Sequence, residues 1–280
     1  MKSATEYAQL LSFLAPALGA AAALTAAAGP AGVLVVLRRD SLLALALPQV
    51  VAVGVALGLR LDWPPLLPAL AVVALTLALV AWARLHHRAD VLLPALYVAG
   101  LALSILVIVH SGAHLAELQN LFTGMDVAVA PADAALAAPL LLLTLLPTFL
   151  FWRRWLLLAQ APATAQVAGI HPARWHLLFL ATLSTIVLVG TNTLGSVMVI
   201  TMLFLPALAA LPWTRRLPHT MTLATLLGLL SLAIGFVFST EYDWPLSQSA
   251  AAAGLLLAAT SLALRGFRRF LTVPHPTRTS

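Results

Sequence analysis

The sequence predicts an all-α, polytopic transmembrane helix bundle of eight or nine spans, one transmembrane domain over residues 1–280. Three observations carry that expectation. Hydrophobic residues make up 62% of the chain and charged residues only 9%, with a mean hydropathy of +1.01, whereas a soluble domain carries about 25% charge. The apolar residues form long continuous runs, and a bilayer core needs about 20 of them in a helix because no water satisfies the backbone there. The basic residues sit in short clusters between the runs, a topology pattern and not a nucleic-acid footprint.

Nine runs can be read in order, at about 8–37, 42–59, 65–83, 91–109, 134–152, 175–190, 194–211, 220–238 and 248–264. The first is too long for one straight span, and Gly29-Pro30 is a plausible kink or break within it. A signal-peptide reading of "LTAAAGPAG" is disfavoured, because Glu6 stands where a basic region belongs and the run continues to Leu37. The stretch Gly54–Gly58 and the alanines from Ala20 to Ala28 allow helix backbones to approach closely. The sixth and seventh runs are joined only by "TNTL" and read as a tight hairpin or a partly re-entrant pair.

Orientation follows from the arginines. Alternate connections hold Arg38, Arg39, Arg84, Arg88, Arg153, Arg154, Arg174, Arg215, Arg216, Arg265, Arg268, Arg269 and Arg278, thirteen of the fifteen basic residues. The opposite connections hold Lys2 and Arg60, with seven of the nine acids. This asymmetry predicts an outer N-terminus, a cytoplasmic C-terminus with a basic tail over 265–280, and a multi-pass protein of the bacterial inner membrane surrounded by lipid.

On the cytoplasmic side lies "LAQAPATAQVAGIHPARWH", Leu158 to His176, which contains no acid. Ala165 to Ala168 can form a helical turn, Gly169 a left-handed cap, and His171-Pro172 a stop.

Enzyme and cofactor signatures are absent. The chain has no GxxxxGK[ST] phosphate loop, no HExxH and no GxSxG, and no cysteine for thiolate or redox chemistry. Span centres carry almost no ionisable residues, which argues against an ion-coupled carrier and points to energy arriving from elsewhere. His110, His114 and Glu117 fall at i, i+4 and i+7. They form a tentative metal set if the fourth span continues outward; if Ser111-Gly112 breaks the helix, the three face water. His86 and His87 read as a solvated pair. The outer "STEYDWP" supplies an aromatic rim, with Glu241 and Asp243 able to attract a cation or dock a protein.

These segments together resemble the membrane permease subunits of zinc/manganese/iron-type ABC importers. "GPAGVLVVLRR" is similar to the family's first-span exit, with Gly29, Gly32, Arg38 and Arg39 on the pattern. "LQNLFTG" is similar to its outer amphipathic turn. "ATAQVAGIHPARWHLL" resembles its cytoplasmic segment through Ala165, Gly169 and Arg174. "LGSVMVITMLFLPALAAL" matches at Gly195, Val199, Pro206 and Ala207, and "FSTEYDWPLSQSA" at Ser239, Asp243 and Pro245.

The resemblance implies alternating access in a homodimer, with zinc the first expected substrate and manganese or iron the others. Ala165, Gln166, Val167, Ala168, Gly169 and Ile170 would dock on a cytoplasmic ABC ATPase, which alone would bind ATP and magnesium. A periplasmic or extracellular binding protein would deliver the substrate at the outer face. No cofactor in this chain and no nucleic-acid partner are expected.

One departure concerns the second span, where the family carries an Asp and a His four residues apart. Registered on Arg38-Arg39 and Gly54, these fall on Leu45 and Gln49; registered on Leu47-Pro48, they fall on Asp40 and Ala44. Neither register supplies an imidazole. Gln49 and Asp40 are therefore the tentative pathway residues. Other ligands for the metal, a chelate or other small solute as substrate, and a non-transporting membrane scaffold remain the alternatives.

Overall fold

The computed structural model describes residues 4–110, 131–214 and 216–272, with side chains from residue 14 onward except 85 and 269–272. The chain folds into helices α1 (Ala4–Leu37), α2 (Ser41–Arg60), α3 (Leu66–Leu85), α4 (Ala89–His110), α5 (Pro131–Leu143) and α6 (Leu145–Gln160). The short α7 (Pro162–Val167) follows, then α8 (Pro172–Leu194), α9 (Ser196–Ala210), α10 (Leu217–Tyr242) and α11 (Leu246–Thr272). Among the described residues, eight segments are long and apolar enough to cross a membrane, with α5 and α6 together forming one of them.

Helix lengths follow the apolar runs, and four of the turns carry a non-glycine residue in the left-handed region. Arg39, Asp62, His87 and Asp243 carry φ of 60°, 53°, 55° and 52° at the α1–α2, α2–α3, α3–α4 and α10–α11 turns. The left-handed region is uncommon for residues other than glycine and is enriched in Asp, Asn and His, so Asp62, His87 and Asp243 are chemically suited to these corners.

Three expectations are revised. Gly29-Pro30 does not break α1, which runs uninterrupted through Pro16 and Pro30; Gly29 instead lies against the Thr225 backbone of α10, where a Cβ would meet it at 3.1 Å. The fifth run does not end at residue 152 but continues as α6 to Gln160, carrying Arg153 and Arg154 on the helix. Its interruption falls at Thr144, because Pro147 has no N–H for the Leu143 carbonyl and its ring crowds it. In the sixth and seventh runs, "TNTL" belongs to α8 and a single residue, Gly195 (φ +82°), separates α8 from α9. With 15 residues, α9 is about 22 Å long, short of the roughly 30 Å hydrocarbon core.

Most of α1, α2 and α8 is buried, whereas α3, α4, α5–α6, α10 and α11 bury a third or less of their spans. The centre is therefore an α1–α2–α8–α9 core with a lipid-facing jacket. Glycine sets its closest approaches. A Cβ on Gly32 would stand 1.8 Å from the Leu203 carbonyl oxygen of α9, and one on Gly54 would stand 2.3 Å from the Ala69 Cα of α3. Small residues permit such contacts in membranes, where dispersion must replace the hydrophobic effect between helices.

Candidate coupling segment and ion cluster

The segment from Leu158 to His176 is a compact arm between α6 and α8. Pro162 opens α7 at its first turn, where the missing N–H costs nothing. After Val167 and Ala168 the chain closes with the Ile170 N–H on the Ala165 carbonyl (2.9 Å), the Gly169 N–H on the Gln166 carbonyl (3.0 Å), and Gly169 at φ +73°. This is a Schellman cap, which needs a residue free of Cβ strain at its left-handed position. His171 is extended and Pro172 starts α8. Ala165 is buried, while Val167 is 91% exposed. The arm thus presents an apolar side chain on a short capped helix between two long ones.

Beneath the arm, aromatic rings lock α6 to α8. Trp155 is fully buried, with edge-on contacts to Phe151 and Phe179 at 6.3 and 5.3 Å, while Phe151 meets Trp175 at 4.9 Å. The Arg154 guanidinium lies 4.5 Å over Trp175. Such pairs add about 0.5–1.5 kcal/mol each beyond their area.

The same place gathers the ends of α1, α2, α3, α6 and α8 around charge. Asp40 sits at the N-cap position of α2 but makes no cap hydrogen bond. Its Oδ2 accepts from Arg38 Nε at 3.0 Å and its Oδ1 from Arg84 Nη2 at 2.7 Å. Arg38 also donates to the Trp155 carbonyl (2.9 Å), meets His176 Nδ1 at 2.9 Å and lies 4.1 Å over the Phe179 ring. Burial, the largest influence, lowers the Arg38 pKa from its ordinary value, while the charge and hydrogen bond of Asp40 raise it; arginine nonetheless stays charged. Arg38, Arg84, His176 and Trp155 are separated by up to 138 residues, so no local pattern in the sequence announces the cluster.

Asp40 and Gln49, the two tentative pathway positions, lie on different sides of α2. Nine residues of α-helix separate them by about half a turn, and Gln49 lies against Gly100 of α4, where a Cβ would meet the Gln49 backbone at 2.9 Å. Gln49 is 4% exposed, and its Oε1 has no hydrogen-bond partner among the described residues. The hydroxyls of Ser184 in mid-α8 and of Thr191 and Ser196 beside the α8–α9 break share that state. Other threonines of the bundle, Thr182 and Thr193 among them, bond back to their own helix.

The remaining candidates are dispersed. His110 is exposed at the last residue of α4, and its proposed companions His114 and Glu117 lie outside the described residues. Among the described residues, no three His, Asp or Glu side chains come together as a metal-binding group. Glu241 and Asp243 flank the aromatic stack of Phe238, Tyr242 and Trp244 at the α10–α11 turn, where Asp243 is the left-handed cap.

Comparison with known proteins places these features in a lineage. The "Manganese transport system membrane protein MntC" of Halalkalibacterium halodurans is 30% identical over 263 residues, covering 92% of this chain and 89% of that protein. The "High-affinity zinc uptake system membrane protein ZnuB" of Haemophilus influenzae is 24% identical over 258 residues, covering 90% and 98%. The solved structure described as PsaBC from Streptococcus pneumoniae in complex with Fab has the same fold. Its TM-score is 0.85 at 21% identity, over 96% of this chain and 99% of that one. The sequence profile of the ABC 3 transport family spans residues 10–265; the chain belongs to that family.

Proposed function

We propose that this chain is the permease subunit of an ABC importer for divalent metal ions in the bacterial inner membrane, working as a homodimer. ATP would be hydrolysed on a separate cytoplasmic ATPase docked at Ala165–Ile170, and a binding protein would deliver metal near Glu241 and Asp243. The observation that carries this reading is the arm itself: exposed Val167 on a capped helix, braced by α6 and α8. A motor-driven permease needs such an arm, because rigid elements with two arrangements carry coupling; a non-transporting scaffold that keeps the docking surface is separated from it by ATP turnover.

The test is co-purification with the ATPase, using Val167→Asp and Ala168→Glu in the full chain. Both variants should remain in the membrane fraction and lose the ATPase; undiminished co-purification of both would overturn the docking assignment. A binding protein loaded with metal should raise ATP turnover of the intact assembly, and no stimulation would favour the scaffold.

Zinc, favoured from the sequence, prefers nitrogen and sulfur donors. Among the described residues, the buried side-chain oxygens without a partner are on Gln49, Ser184, Thr191, Ser196 and Ser249, beside one unpartnered imidazole nitrogen, His176 Nε2; oxygen donors suit manganese. Manganese is therefore the second reading. Parallel uptake of zinc and manganese into proteoliposomes holding the permease and ATPase, with binding protein outside, decides between them.

A further inference from the structure

At the arginine-rich end of the bundle, α6 and the start of α10 diverge and leave a cavity of about 440 Å³. Trp152, Arg153 and Leu156 line it from α6, with Arg216, Leu217 and His219 on the other wall. Among the described residues, no carboxylate lines it. Arg153 lies 5.2 Å over the Trp152 ring, so its guanidinium is held on an aromatic face beside the opening. The cavity is thus cationic at its rim and apolar at its base, where Leu156 and Leu217 are half-buried.

A second, separate cavity lies further along α10, between it and α11. One and two turns past His219, Leu223 and Leu227 line a further groove of about 330 Å³ with Leu257 and Leu264 of α11. Its walls are almost wholly apolar. A cationic pocket at a span end, followed along the same helix by an apolar groove, matches a molecule with an anionic head and a hydrocarbon tail.

We propose that this groove binds an anionic phospholipid, its phosphate held by Arg153 and Arg216, its glycerol region beside Trp152, and an acyl chain along α10. Guanidinium pairs recognise phosphate through charge-assisted, often bidentate hydrogen bonds. Tryptophan prefers the membrane interface, and basic pockets between spans take anionic headgroups. The lipid bridges two helices that do not pack along each other, and so steadies the base of the arm that α6 carries.

The experiment is native mass spectrometry of the full-length permease titrated with phosphatidylglycerol or phosphatidylcholine, with inorganic phosphate as competitor. Phosphatidylglycerol should bind in preference, and millimolar phosphate should not displace it. Two basic residues near the headgroup contribute about 1 kcal/mol each, so Arg153→Gln/Arg216→Gln should weaken phosphatidylglycerol binding about thirtyfold. Leu156→Trp, which fills the cavity and keeps both arginines, should also lose the lipid. Arg39→Gln/Arg88→Gln removes two exposed charges that do not line the groove and should change little. An equal loss in that control, retention by Leu156→Trp, or displacement by free phosphate would each overturn the assignment.

Discussion

Replacing Asp40 with alanine removes the one carboxylate that neutralises the buried Arg38. Asp40 is 6% exposed and accepts from Arg38 and Arg84 at 3.0 and 2.7 Å. It makes no capping bond, so the substitution carries no loss of a helix cap. Breaking a buried pair while leaving its cation behind costs about 3–5 kcal/mol. Arg38 keeps the Trp155 carbonyl, His176 and the Phe179 ring, which places the expected loss near the lower end, about 3 kcal/mol. At about 2–4 °C per kcal/mol, the melting temperature in detergent should fall by about 6–12 °C. Arg84 is a third exposed and can extend into solvent, so Arg84→Ala should cost only about 0–1 kcal/mol. Arg38→Met combined with Asp40→Ala should recover much of the loss, because the buried cation then goes with its carboxylate and the Arg84 left behind is a third exposed. The assay is thermal unfolding of the unaltered chain and the three variants at one detergent and salt concentration. A shift below 2 °C for Asp40→Ala, or equal shifts for Asp40→Ala and Arg84→Ala, would refute the reasoning.

Gly32→Ala should destabilise the bundle by about 3 kcal/mol or more, because its Cβ meets the Leu203 carbonyl; Gly19→Ala, with nothing within 4 Å, should stay within about 0.5 kcal/mol, both read by thermal unfolding. Gly169→Ala faces open space but a φ of +73°, so it should strain the cap by about 1 kcal/mol and lower ATPase co-purification with little change in global melting. Gln49→Leu removes a buried oxygen that lacks a partner and should raise stability by about 1 kcal/mol; a parallel loss of metal uptake would place Gln49 on the pathway, and unchanged uptake would remove it.

Much of the fold was legible in the chain because a bilayer imposes one rule on every span. Uninterrupted apolar runs located the helices, and Gly169 with His171-Pro172 marked the arm, since these residues act on their own backbone. Misreadings came where distant packing decides. Gly29-Pro30 reads locally as a break, but Gly29 is there to admit Thr225. Arg153 and Arg154 read as loop charges, yet both stay helical, with guanidiniums resting on Trp152 and Trp175. The Arg38–Asp40–Arg84–His176 cluster joins four helices, so residues that look like topology markers become an internal brace. For the pathway, sequence register alone left Asp40 and Gln49 equivalent; helix geometry puts them on opposite sides of α2.

The order of synthesis gives the close glycine contacts of α1 a meaning in time. Gly29 and Gly32 leave notches that are filled by Thr225 and Leu203, residues that emerge from the ribosome roughly 170–200 positions later. At about 5–20 residues per second, the first helix waits on the order of ten to forty seconds for its mates. During that delay its small-residue stripe is open to any passing hydrophobic segment, another nascent chain included. Truncation before α9 would strand it permanently, so quality-control proteases should clear such fragments faster than chains that reach Ala210.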